Sequence, residues 1–177
     1  DKNIIPDHQF GFRKGHATLH ALSVVKDDIS RGLNQRKSTV VCLLDFEKAF
    51  DSVLTRGLLG KMVKLNMNAN TTAIIQSFLS NRRADVVIDK ADPKPFNIRR
   101  GVPQGTRLGP ILYNLYIGDI PVDKAAANDC KIVPYADDTI IYTSSLNPVM
   151  ASIRLQTTVG ELEKYFHNIL NINATKT

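Results

Sequence analysis

The 177-residue chain has only two cysteines and four histidines. Cys42 and Cys130 lie far apart in apolar stretches. They are too few for a disulfide scaffold or a thiolate zinc site, and they fit a reducing compartment. His16 and His20 share helical i,i+4 spacing, but without further ligands they read as helix surface. No apolar run approaches the roughly 18 residues that a membrane helix needs. Repeats and low-complexity tracts are missing too. With 43% hydrophobic and 23% charged residues, disorder, collagen and coiled coil are poor readings. Acid is the scarcer charge: 17 Asp and Glu against 23 Lys and Arg leave a net charge of +6. That excess favours polyanionic partners, chiefly nucleic acid. The length suffices for one domain with its own core. The chain starts at Asp1 with no charged-then-apolar leader, so a piece of a longer protein is expected.

Residues 1–15 read as loop. Leu19, Leu22, Val25, Ile29 and Leu33 recur at helical spacing and predict a helix over 16–33. Residues 38–46 are β-branched and almost wholly apolar, which predicts a strand buried on both faces with Asp45 near its end. Helices are expected near 54–66 and 70–81, and a hairpin from 84–89 and 94–100 around Ala91-Asp92-Pro93. A Gly- and Pro-rich loop, 101–109, leads into a helix over 110–118 with Ile111, Leu112, Leu115 and Tyr116 inward. Two short apolar runs, 131–136 and 139–143, read as a hairpin joined at Asp137-Asp138. Asn147 caps a last helix, 148–170, whose apolar face carries Ile153, Val159, Leu162, Phe166 and Leu170. The order predicts an α+β layer: a mainly antiparallel sheet with helices on one face.

Asp45, Asp137 and Asp138 each end or begin an apolar strand. Ionised carboxylates are costly to bury without partners. A hard divalent cation resolves that conflict, since Mg²⁺ takes oxygen ligands and shares them with phosphates. Convergence of the three acids allows a two-metal phosphoryl transfer. Taken singly, Asp-Asp also suits a turn and Asp45 a helix cap.

The flanking sequence favours the site. Tyr135-Ala136-Asp137-Asp138 resembles the catalytic signature of reverse transcriptases, and the run from Leu44 to Val53 resembles their first metal-binding motif. Gly101 to Pro110 resembles the template-and-nucleotide loop, and Gln9 to His16 an upstream fingers segment. Leu170 to Thr177 resembles the start of a later motif bearing a lysine. All five are in family order, and their wording is nearest to the non-LTR, LINE-like retrotransposons of animals, particularly the jockey-like group.

The resemblance implies the α+β reverse-transcriptase palm, with a ferredoxin-like antiparallel sheet backed by helices. Residues 1–37 would be partial fingers and 38–177 the palm, interrupted by fingers-like helices and the hairpin near 54–100. The preceding basic fingers hairpin, the last palm strand and the thumb would lie outside the chain. The implied activity is RNA-directed DNA polymerisation serving retrotransposition, with an RNA template, a DNA primer, a dNTP, Mg²⁺ or Mn²⁺, and other domains of a parent polyprotein. The location implied is intracellular and nuclear, with no membrane partner. Asp45, Asp137 and Asp138 would hold metal, and Lys176 would protonate the leaving pyrophosphate. Phe46, Phe50, Gln104 and Gly105 would meet the nucleotide, with Phe50 as the steric gate against a ribose 2′-OH; a core Phe is the plainer reading. Arg13, Lys14, Arg99 and Arg100 would touch nucleic acid or merely form solvated surface. Arg107 stands where a small aliphatic residue is expected. A catalytically silent, nucleic-acid-binding remnant and a metal-dependent nuclease are the other two classes. Intact Asp45, Asp137, Asp138, Phe50 and Gln104 argue against a remnant, and a nuclease has no need for Phe50 or Gln104.

Overall fold

The computed structural model describes residues 4–86, 94–167, 169, 170 and 172. The elements run α1 Thr18–Asn34, β1 Ser38–Asp45, α2 Ala49–Ser52, α3 Thr55–Lys64, α4 Ala69–Leu79, β2 Arg82–Ala84 and β3 Phe96–Ile98. After these come α5 Leu108–Ile117, α6 Val122–Ala127, β4 Lys131–Tyr135, β5 Asp138–Ser145 and α7 Pro148–Phe166. Among the described residues no helix is long and apolar enough to cross a membrane.

The main sheet is antiparallel in the order β1-β5-β4, so the first strand pairs with the last hairpin. Ser38 lies opposite Ser145, and the ladder runs to Asp45 opposite Asp138. On the free side of β1, Phe46 forms an antiparallel bridge with Ile172. A second pair, β2-β3, sets Arg82 opposite Ile98. The α+β class expected from the sequence is what the chain adopts.

Side chains alternate across strands, and the two sheet faces meet different partners. On one face Leu44, Ile132 and Ile141, with Phe46 just past β1, pack with Leu155, Leu162 and Phe166 of α7, and the core continues into Leu58, Met62, Leu112 and Tyr116. On the other face Val133 and Tyr142 meet Ala21 and Val25 of α1, bordered by Ile29, Tyr135 and Ile140. Both faces therefore carry a helix, where helices on one face were expected.

Other expectations need correction. The first strand is not buried on both faces: Val41 is 43% and Leu43 60% exposed, because α1 meets β1 near Thr39 and leaves the later residues of the strand open. The buried stripe of α1 is Ala21, Val25 and Gly32, while Leu19, Leu22 and Leu33 are exposed. A Cβ on Gly32 would sit 3.1 Å from Ser144 Oγ and 3.3 Å from Thr39 Oγ1, so the helix approaches the sheet closely there and a larger residue would make those side chains shift. Ile111 and Ile153 also point outward, and the last helix stops at Phe166. Helix α6 lacked a sequence signal. Among the described residues the hairpin expected from 84–89 and 94–100 pairs instead over 82–84 and 96–98, and 87–93, Ala91-Asp92-Pro93 included, lie outside the described residues. Asn147 caps α7 as expected, its Oδ1 accepting from Val149 N at 3.0 Å and Met150 N at 3.4 Å.

Candidate active site

The acids gather where β1 ends and β5 begins. Asp45 and Asp138 are register partners, so their side chains leave the same face of the sheet. That face is the one α1 covers only in part. The turn before β5 is Ala136-Asp137, one residue earlier than read from the sequence, because Asp138 already pairs with Tyr135. Ala136 takes a left-handed backbone, φ 55°, unusual for a residue with a side chain. Among the described residues no three His, Cys, Asp or Glu side chains form a ready-made metal cage. The donors are nonetheless all carboxylate oxygens, and Mg²⁺ is ordinarily held by one or two carboxylates completed by water and substrate phosphates. Facing Asp45 and Asp138, with Asp137 adjacent, fit that kind of site.

Aromatic rings form one wall. Lys48, at φ 48°, ends the extended run and starts α2, which carries Phe50. The Phe50 ring stacks on Tyr113 of α5, 4.7 Å between centroids and 18° from parallel, and Phe12 meets it edge-on at 5.9 Å. The Tyr113 hydroxyl is buried with no hydrogen-bond partner among the described residues. Burial, then the charges of Asp137 and Asp138, push its phenol far above the ordinary range. The ring stack thus lies within the field of the acids, and Tyr113 stays neutral there.

The loop after β3 docks against α2. Gly101 N donates to Val53 O at 2.7 Å and Val102 N to Phe50 O at 2.8 Å. Gln104 Nε2 donates to the Asp51 carboxylate at 3.2 Å, and Gly105 is exposed beside it. From the hairpin side, the Arg82 guanidinium donates to the carbonyls of Gly101, 2.5 Å, and Arg100, 2.9 Å. Phe50, Gln104 and Gly105 are therefore parts of one docked unit.

Some expected residues lie elsewhere. The Phe46 ring is buried on the α7 face, 4.5 Å from Phe166, so a side-chain contact with a nucleotide is corrected to a core role. Arg13 pairs with Asp7 at 2.5 Å and donates to Pro6 O at 3.1 Å; its guanidinium is spent within its own loop. Lys14 is exposed. Arg99 and Arg100 are exposed, and Arg99 joins Arg82 and Arg83 around an open cleft of about 530 Å³. Lys176 lies outside the described residues. A cavity of about 560 Å³ at the far end of the sheet holds Arg31, Lys131 and Arg154, but Asp28 and Asp129 already pair with them.

Sequence reasoning missed three residues of the site. Tyr113 read as plain core, and its unsatisfied hydroxyl gives no sequence signal. Gln9 and Asn114 are buried polar side chains, 1% and 0% exposed, that tie the N-terminal segment to the acid turn and to α5. Asn114 carried a readable sign, since it interrupts the apolar run from Ile111 to Ile117.

The family model described as reverse transcriptase (RNA-dependent DNA polymerase) matches residues 1–177. The chain is 34% identical over 182 residues to a probable RNA-directed DNA polymerase from transposon BS of Drosophila melanogaster, covering 100% of this chain and 20% of that protein. It is 35% identical over 179 residues to the RNA-directed DNA polymerase from mobile element jockey of the same species, covering 97% and 19%. The chain thus spans about a fifth of the length of these relatives. Among solved structures, telomerase from Candida albicans in complex with a TWJ fragment of telomeric RNA aligns with a TM-score of 0.67 at 13% identity, over 91% of this chain and 31% of that one. Apo telomerase from Candida tropicalis, truncated from its C-terminal domain, aligns at 0.64 and 14%, over 96% and 35%. These structural matches carry the fold alone. The match over its whole length shows that this chain belongs to the reverse transcriptase family.

Proposed function

We propose that the chain is the palm and partial fingers of an RNA-directed DNA polymerase of a non-LTR retrotransposon, which adds dNMP from a dNTP to a primer 3′-OH on an RNA template. The observation that carries this is Asp45 facing Asp138 across the β1-β5 ladder, beside the ring stack of Phe50 on Tyr113. Residues 1–37 belong to the fingers and 38–177 to the palm, with 54–100 as a fingers-like insertion. Asp45 and Asp137, seconded by Asp138, hold Mg²⁺ or Mn²⁺. Held there, such a cation would supply neutralisation of phosphate charge and activation of the attacking hydroxyl. Phe50, backed by Tyr113, fills the space beside the sugar and disfavours a 2′-OH. Gln104 turns from Asp51 toward the templating base, and Gly105 lets backbone approach it. Arg99, Arg100 and Lys14 hold phosphates of the template–primer, and Lys176 protonates the leaving pyrophosphate. Nuclear residence and the remaining polyprotein domains belong to the same reading.

Single-nucleotide addition to a DNA primer annealed to RNA, by the chain joined to its parent protein's fingers hairpin and thumb, tests it. Wild type with Mg²⁺ or Mn²⁺ extends the primer, Asp45→Asn and Asp137→Asn do not, and Phe50→Val raises rNTP use at least about tenfold against dNTP, the scale on which a pocket loses discrimination. Cleavage of the nucleic acid instead of extension, or binding without extension, overturns the reading.

A further inference from the structure

The acid turn is held from outside the hairpin. Gln9 is almost fully buried, and its Oε1 accepts from Gly11 N at 2.8 Å and from Ala136 N at 3.3 Å. Phe10 N donates to Pro134 O at 3.2 Å, so residues 9–11 run against the end of β4. On the other side, Asn114 Nδ2 of α5 donates to Gly11 O at 2.8 Å. A Cβ on Gly11 would fall inside the contact shell of the Ala136 amide nitrogen, so only glycine allows this approach. Ala136 itself is kept at φ 55°, which an alanine does not favour. The residue so constrained immediately precedes Asp137.

We propose that Gln9 is a positioning residue: its buried carboxamide fixes the left-handed Ala136 and thereby aims the Asp137 carboxylate at the metal. The proposal rests on the polymerase reading for the purpose of that aim, but the clamp itself is a property of this chain. The chemistry explains the residue type. A neutral amide oxygen accepts two backbone N–H groups without adding a charge beside Asp137 and Asp138. Asn114 completes the device from α5, where its neighbour Tyr113 bears the Phe50 ring. The acids and the ring wall are thus braced by one short segment.

Two measurements on the full chain test the clamp. Hydrogen exchange at the Ala136 amide reports the hydrogen bond directly, and Mn²⁺ titration followed by electron paramagnetic resonance reports the aim of the acid. In Gln9→Met, which keeps volume but lacks the acceptor, Ala136 exchanges at least about tenfold faster. Its Mn²⁺ affinity falls about tenfold, the usual cost of losing an outer support of a metal ligand. Adding Ala136→Gly, which favours the left-handed backbone unaided, restores at least half of that loss on a logarithmic scale. A merely stabilising Gln9 would show no such rescue. Unchanged Ala136 exchange in a folded Gln9→Met overturns the clamp. Faster exchange with unchanged Mn²⁺ affinity, or affinity lost without rescue, overturns the aiming role. A wild type whose Mn²⁺ binding is indifferent to Asp137→Asn overturns the metal reading and the aim with it, while Ala136 exchange still decides the clamp.

Discussion

The two faces of the β1-β5-β4 sheet differ sharply. Beneath α7, Leu44, Phe46, Ile141, Leu162 and Phe166 are buried in one core that continues into α3 and α5. Beneath α1, the cluster is small, and β1 leaves Val41 and Leu43 open on the same face as Asp45 and Asp138. A sheet that hides one face in a large core can leave the other uncovered without losing its fold. The large core and the acid pair thus lie on opposite sides of the same strands.

That contrast can be broken from either side. The largest effect is expected from Phe166→Ala, which removes a fully buried ring between Phe46 and Tyr165 and should destabilise by about 3–5 kcal/mol in chemical denaturation. Gly11→Ala should cost about 1–3 kcal/mol by forcing a side chain against the Ala136 backbone, a rare case of the open side mattering to stability. An Asp28→Asn chain should lose about 1–2 kcal/mol, since Lys131, Arg31 and the Tyr142 hydroxyl all converge on that carboxylate from α1, β4 and β5. Leu43→Ala should change stability by less than about 0.5 kcal/mol, because the side chain is already in solvent. A Leu43 effect as large as that of Phe166 would erase the distinction between the faces.

Acid sharpens the same comparison. Burial works against the Asp28 charge, but hydrogen bonds from Lys131 and Tyr142 and the nearby cations outweigh it and hold the carboxyl below its ordinary value. A carboxyl depressed in the folded state stabilises above its unfolded pKa and loses that contribution as pH falls through the folded one. The α1 side should therefore lose this contribution in an acid titration, below about pH 4. Tryptophan is absent, so far-ultraviolet circular dichroism of wild type and Asp28→Asn is the measurement. The variant should show a flatter acid limb, and identical limbs would remove Asp28 from the account.

Much of the fold was legible because it is locally encoded. The runs at 38–46 and 131–143, the Asn147-Pro148 start of α7 and the 3–4 spacing after His16 each declare an element without reference to neighbours. The acids were legible as well, since Asp at the tip of an apolar strand conflicts with burial unless something pairs with it. Illegible was the choice of stripe on α1. Leu19, Leu22 and Leu33 look like core by hydrophobicity, yet Ala21, Val25 and Gly32 face the sheet, and at Gly32 the backbone comes close to Thr39 and Ser144. Phe46 misled in the opposite sense: its place in the motif suggested a nucleotide contact, while strand alternation sends its ring away from Asp45.

Sequence alone determined most of the elements and singled out Asp45, Asp137 and Asp138, because periodicity and uncompensated carboxylates are properties of a few neighbouring residues. Only the tertiary structure decided which side of each element is covered, that Asp45 faces Asp138, and that Gln9, over 120 residues away in the chain, grips the turn before Asp137. Such contacts depend on how closely two backbones approach, and that distance is set by the packing of the whole core rather than by any local run.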